Sequence, residues 1–205
     1  MILIENKFCF IHIPKTSGSS FTQIICKKAT TNKKTYNSGG GWQGTYHFNK
    51  GFCNGQHTII NDLKNDELKL IENIPIITIV RNPYSWLVSL YENFDEGKGK
   101  FYDYIIKLKN NKKFRLFNKL LQTEYIENNY NYEVEIYKFE ENPHKKICNK
   151  YNIEYKDIHE LNRNRVKKIK EYYNNELIEI VNNLFEKDFN YLNYNMVTNV
   201  NDMNI

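Results

Sequence analysis

The chain has 205 residues, 40% hydrophobic and 15% aromatic, enough for one sizeable core and short for two, so one domain is expected over residues 1–195 with a tail at 196–205. Twenty-nine Lys and Arg against 24 Asp and Glu leave a formal charge of +5, a mild pull on anions; with the basic residues dispersed, nucleic acid is not an expected partner. Four scattered cysteines, Cys9, Cys26, Cys53 and Cys148, exclude a disulfide framework, and apolar runs far shorter than the about 20 residues of a membrane span, with no signal-like start, set the expectation of a soluble, cytoplasmic protein.

Lys7 to Ile13 is nearly all apolar and stops at Pro14, the pattern of a strand covered on both faces. A tight Lys15-Thr16-Ser17-Gly18-Ser19-Ser20 turn follows, and Phe21, Ile24, Ile25 and Lys28 then fall at helical spacing, predicting a helix to about Ala29. Thr30 to Gly55, with three consecutive glycines at Gly39, Gly40 and Gly41, reads as loop, and Asp62 to Glu72 as a short helix. Ile74 to Val80 is a second buried strand; it ends at Arg81-Asn82-Pro83, and Pro83 suits the first turn of a helix carried on by Trp86, Leu87, Leu90, Tyr91 and Phe94.

After a break at Gly97 to Lys100, Phe101 to Glu127 is expected to hold one or two amphipathic helices with Tyr104, Ile105, Leu108, Leu116, Phe117, Leu120 and Leu121 inward. Glu133 to Phe139 is a third strand candidate, Asn142 to Tyr151 a helix, and Glu171 to Phe189 a longer helix with Tyr173, Leu177, Ile180, Val181, Leu184 and Phe185 as its apolar stripe. Strands alternating with helices predict an α/β fold with a mostly parallel sheet.

Both strand-to-helix turns have the makings of anion sites at the carboxyl ends of buried strands. The first is not a Walker A loop, because no Gly precedes Lys15 and Gly18 follows Lys15-Thr16; nor does the second strand end in a metal-holding Asp. It ends in Arg81, and Ser89, eight residues on, stands about two helical turns later, where a hydroxyl can join the guanidinium on one phosphate.

HIPKTSGSSF resembles the 5′-phosphosulfate loop, and IVRNPYSWLVSLY the 3′-phosphate motif, of sulfotransferases that use 3′-phosphoadenosine 5′-phosphosulfate (PAPS), specifically the branch acting on carbohydrates; GQHTIINDL, YKFEEN, HELN and YYNNELIEIVNNLFEKDFNYLNY are similar to later segments. The resemblance implies a P-loop-like three-layer α/β sandwich, transfer of a sulfuryl group from PAPS to a hydroxyl of a sugar or glycan, PAP as product, and no metal. It implies that Lys15 stabilises charge on the departing phosphate, that Thr16, Ser17, Gly18, Ser19 and Ser20 ring the 5′-phosphate, and that Arg81 and Ser89 clamp the 3′-phosphate. Where the family commonly carries a basic residue, this chain has Trp86.

Transfer to a hydroxyl needs a base, and five histidines are available. His57, in GQHTIINDL, matches the family segment that bears a histidine before the second strand and is the preferred base; His12 reads as structural, His47, His144 and His159 as surface residues, and Glu140 as a second, weaker candidate. Arg163, Arg165, Lys167 and Lys168 form a basic cluster, and Trp42, Tyr46, Phe48 and Phe52 an aromatic loop able to stack on sugars or pack in the core. Two other classes compete: a magnesium-dependent kinase on a degenerate P-loop, opposed by the missing metal ligands, and a silent nucleotide- or glycan-binding module, opposed by Lys15 with a base beside it.

Overall fold

The computed structural model describes residues 1–4, 6–25, 45–47, 57–94, 99–111, 119–155 and 168–203. In chain order the elements are β1 (Ile2–Ile4), β2 (Phe8–Ile11), α1 (Gly18–Ile25), β3 (Thr45–His47), α2 (Asn65–Ile71), β4 (Ile76–Val80), α3 (Pro83–Phe94), α4 (Phe101–Asn110), α5 (Thr123–Ile126), β5 (Val134–Lys138), α6 (Pro143–Lys150) and α7 (Asn175–Tyr191). They fall into two compact units, one of Met1–Val80 with Ile126–Leu161, the other of Arg81–Tyr125 with Asn162–Ile205.

The first unit holds the sheet, ordered β3-β1-β2-β4-β5. Three of its strands, β2, β4 and β5, run parallel, and β1 and β3 are added antiparallel on the β2 side. The fold is therefore α/β with a mostly parallel sheet, as the alternation of elements predicts. Phe10 pairs with Ile77 in the β2–β4 ladder, so Phe8, Phe10, Ile77 and Ile79 share one face, and Phe21, Ile24 and Ile25 of α1 and Ile147 and Cys148 of α6 close over it. Each large apolar side chain so buried contributes about 2 kcal/mol.

Two expectations are corrected here. The loop expected over Thr30 to Gly55 contains β3, whose three residues are too few for a period-2 signal, and three-residue β1 escaped notice for the same reason. The rest of that stretch, including Gly39, Gly40, Gly41, Trp42, Phe48 and Phe52, lies outside the described residues, as do Leu116 and Phe117.

The second unit is helical. Trp86, Leu87, Tyr91, Phe101, Tyr104, Ile105, Leu108, Leu177, Val181 and Phe185 are buried on α3, α4 and α7, most of them on the predicted stripes, whereas Ile180 and Leu184, expected inward, are half-buried and Ile178 is buried on α7. Pro83 opens α3, and Asn174 caps α7 by accepting the Leu177 N–H at 2.8 Å. Leu120 and Leu121, expected on a helix, instead precede α5, their N–H groups donating to the Glu124 carboxylate.

Candidate active site

In the first unit the chain leaves β2 at Ile11 and enters α1 at Gly18 through a turn in which Lys15 (φ 62°) and Ser17 (φ 68°) are both left-handed. Left-handed backbone at two bulky-side-chain positions, with Thr16 between them, is uncommon for L-residues; turns of this kind aim successive N–H groups into an anion-binding concavity. Thr16 is fully buried and donates its hydroxyl to the Ile13 carbonyl at 2.9 Å, so its side chain is committed to shaping the turn. The first α1 hydrogen bond runs from the Phe21 N–H to the Ser17 carbonyl at 3.0 Å, leaving Gly18, Ser19 and Ser20 as the helix's opening N–H donors. Lys15, Ser17 and Ser20 are half-buried and Ser19 exposed.

Gly18 has a definite steric reason. A Cβ there would lie 1.9 Å from Cδ2 and 2.2 Å from Nε2 of His12, so the buried imidazole lies directly against the turn. His12 is held well below the ordinary imidazole pKa, first by burial and then by the neighbouring His57, and its buried Nδ1 has no hydrogen-bond partner among the described residues.

His57 reaches the same place. Its Nδ1 lies 2.6 Å from the His12 carbonyl, and the two rings are 4.6 Å apart. A carbonyl can only accept, so Nδ1 carries the proton and the neutral ring keeps its lone pair on Nε2. Burial pulls the His57 pKa below 6.5, only partly offset by that hydrogen bond, so the neutral form prevails at pH 7.

A third histidine, read from the sequence as a surface residue, joins the turn. His144, in the first turn of α6, stacks on Phe21 with ring planes 11° apart, and its Nε2 lies 2.7 Å from the Ser17 hydroxyl. The available signal was topological: α6 follows β5, which runs parallel to β2 two strands away, so both connections leave the same edge of the sheet.

In the second unit, half-buried Arg81 precedes α3 and donates from Nε to the Ser85 hydroxyl at 2.9 Å, and Ser85 in turn donates to the Asn82 carbonyl at 3.1 Å. The Asn82 side chain accepts the Tyr84 N–H and caps the helix. The partner found beside the guanidinium is thus Ser85, one turn on; Ser89, two turns on, is half-buried on the same helix. The Arg81 backbone is held as well, its N–H donating to Gln122 Oε1 at 2.9 Å and its carbonyl accepting from Gln122 Nε2 at 2.7 Å. Trp86 is buried edge-on to Phe185, a core position that offers no cation.

Glu140 is exposed in a 3-10 turn at Phe139–Glu141, and Lys168 is exposed. His159, Arg163, Arg165 and Lys167 lie outside the described residues, and for His47 and Tyr46 only the backbone of β3 is described. Among the described residues no helix is long and apolar enough to cross a membrane.

No curated protein and no solved structure gives a significant match to the chain. The model of the sulfotransferase family matches residues 1–156, which takes in the Lys15–Ser20 turn, His12, His57, His144 and Arg81, and so the chain belongs to the sulfotransferase family, whose members transfer a sulfuryl group.

Proposed function

We propose that the protein transfers a sulfuryl group from PAPS to a hydroxyl of a carbohydrate acceptor. The observation that carries this reading is the hydrogen bond of 2.6 Å from His57 Nδ1 to the His12 carbonyl, which ties a neutral imidazole to the strand end from which the anion turn departs. A base fixed in this tautomer and an anion cradle that begins three residues further along the chain are the two parts that such a transfer requires.

In this reading Lys15 and the N–H groups of Thr16, Ser17, Gly18, Ser19 and Ser20 hold the 5′-phosphosulfate end, and the left-handed turn supports the fit. Arg81 and Ser89 hold the 3′-phosphate, with Ser85 orienting the guanidinium. PAPS supplies the activated sulfuryl group. His57 Nε2 takes the acceptor hydroxyl's proton as that oxygen forms its bond to sulfur, and Lys15 offsets the negative charge on the oxygen that leaves with the phosphate. The sugar acceptor rests on the likeness of both motifs to the carbohydrate branch.

The test is transfer of label from radioactive PAPS to a panel of glycans. Lys15→Ala and Arg81→Ala are each expected to lower transfer by about a hundredfold or more. Transfer at the unaltered rate by both variants would end the proposal.

A further inference from the structure

Arg81 is gripped from behind by a relay that begins on α7. Past Val80 the β4–β5 ladder stops, so the Arg81 N–H and carbonyl need another partner. Gln122 supplies both: its carboxamide meets the peptide group at 2.9 and 2.7 Å, one donor and one acceptor, as a neighbouring strand would. Asp188 then fixes Gln122, its Oδ2 accepting the Gln122 N–H at 2.8 Å while Oδ1 accepts the Thr123 N–H at 2.9 Å and the Thr123 hydroxyl at 2.8 Å. Gln122, Thr123 and Asp188 are wholly buried. A carboxylate is costly there, and the three hydrogen bonds compensate for only part of the cost; they serve geometry more than stability.

We infer that Gln122 and Asp188 are positioning residues for Arg81, fixing the guanidinium's root so that the chain distinguishes a nucleotide bearing a 3′-phosphate from one without it. The inference rests on the reading of Arg81 as the 3′-phosphate ligand. Ser85 orients the far end through Nε and Gln122 fixes the near end, so the side chain is directed from both its root and its head. An amide side chain replaces a peptide neighbour in this way because it both donates and accepts from one planar group; an ionised Glu keeps the acceptor and loses the donor.

The test measures the affinity of adenosine 3′,5′-bisphosphate relative to adenosine 5′-phosphate by calorimetry, in the full chain. The ratio isolates the 3′-phosphate, and monophosphate binding reports that the rest of the site is folded. Arg81→Ala should bring the ratio close to one. Gln122→Met and Gln122→Glu should each lower it by about tenfold, with monophosphate affinity unchanged. Should both lose monophosphate binding through misfolding, Thr123→Val, which removes one of the three donors to Asp188, makes the same comparison with a smaller expected fall. An unchanged ratio in a folded Gln122 variant or, where neither folds, in Thr123→Val, while Arg81→Ala collapses it, overturns the positioning role alone. An unchanged ratio in Arg81→Ala removes the reading of Arg81 and this inference with it.

Discussion

At the scale of single residues, the site is a set of side chains whose hydrogen bonds determine what each can do. His57 carries its proton on Nδ1 because a carbonyl lies opposite, and its pKa is depressed by burial. As a base it must be neutral, so activity is expected to hold as the pH falls to about 6.5, where an ordinary imidazole would already be half charged, and to fall only below that. A pH profile of kcat/KM checks this, and an acid limb centred above 6.5 would exclude His57 as the group responsible. His57→Ala should lower kcat by about a hundredfold to ten-thousandfold while bisphosphate affinity stays within about twofold. The place of His57 beside the turn follows from a motif in the sequence; those of His144 and Gln122 do not, for each owes its place to a contact with a residue more than 40 positions away. Asp188 left a trace, a carboxylate three residues after buried Phe185 and next to buried Phe189 on the inward stripe of α7.

Elements were read well where they are long or punctuated. β4 and α3 follow from an apolar run, a Pro at the first helical turn and a 3.6-residue stripe, whereas β1 and β3 are too short to show any period and are stabilised by pairing with each other and with β2. On α3, Trp86 stands where the resemblance implies a basic residue. That position faces the core, edge-on to Phe185 with ring centres 6.2 Å apart, and leaves no room for a hydrated charge. Trp86→Lys should therefore cost about 3 kcal/mol or more of stability, measured by urea unfolding, and bring no gain in bisphosphate affinity. A variant that is as stable as the parent and binds the bisphosphate more tightly would show that position 86 faces the nucleotide after all.

At the scale of the whole molecule, neither compact unit is a continuous stretch of chain, because the backbone passes between them after Val80, Tyr125 and Leu161. This interlacing was invisible in the sequence, since strand order is set by long-range pairing: β4 is hydrogen-bonded to β5, which arrives only after α3, α4 and α5. It has a consequence for cutting the chain. Residues 1–125 keep the first four strands and α1 but lose β5, so Ile76–Val80 keep β2 on one side and lose their partners on the other, and the core beside Phe8, Phe21 and Ile77 loses Ile147 and Cys148. At about 2 kcal/mol for each large buried side chain, with a ladder of backbone hydrogen bonds lost as well, the deficit is comparable to the roughly 5–15 kcal/mol that holds a domain folded. The exposed edge would be apolar and flat, the kind that pairs with other chains. Residues 1–125 expressed alone are therefore expected to aggregate or to unfold without a cooperative transition, although the fragment contains the whole anion turn, His57 and Arg81. A sharp urea transition in that fragment, with near-UV circular dichroism of a packed core, would show that the sheet is complete without β5 and that the site needs only the first 125 residues to form.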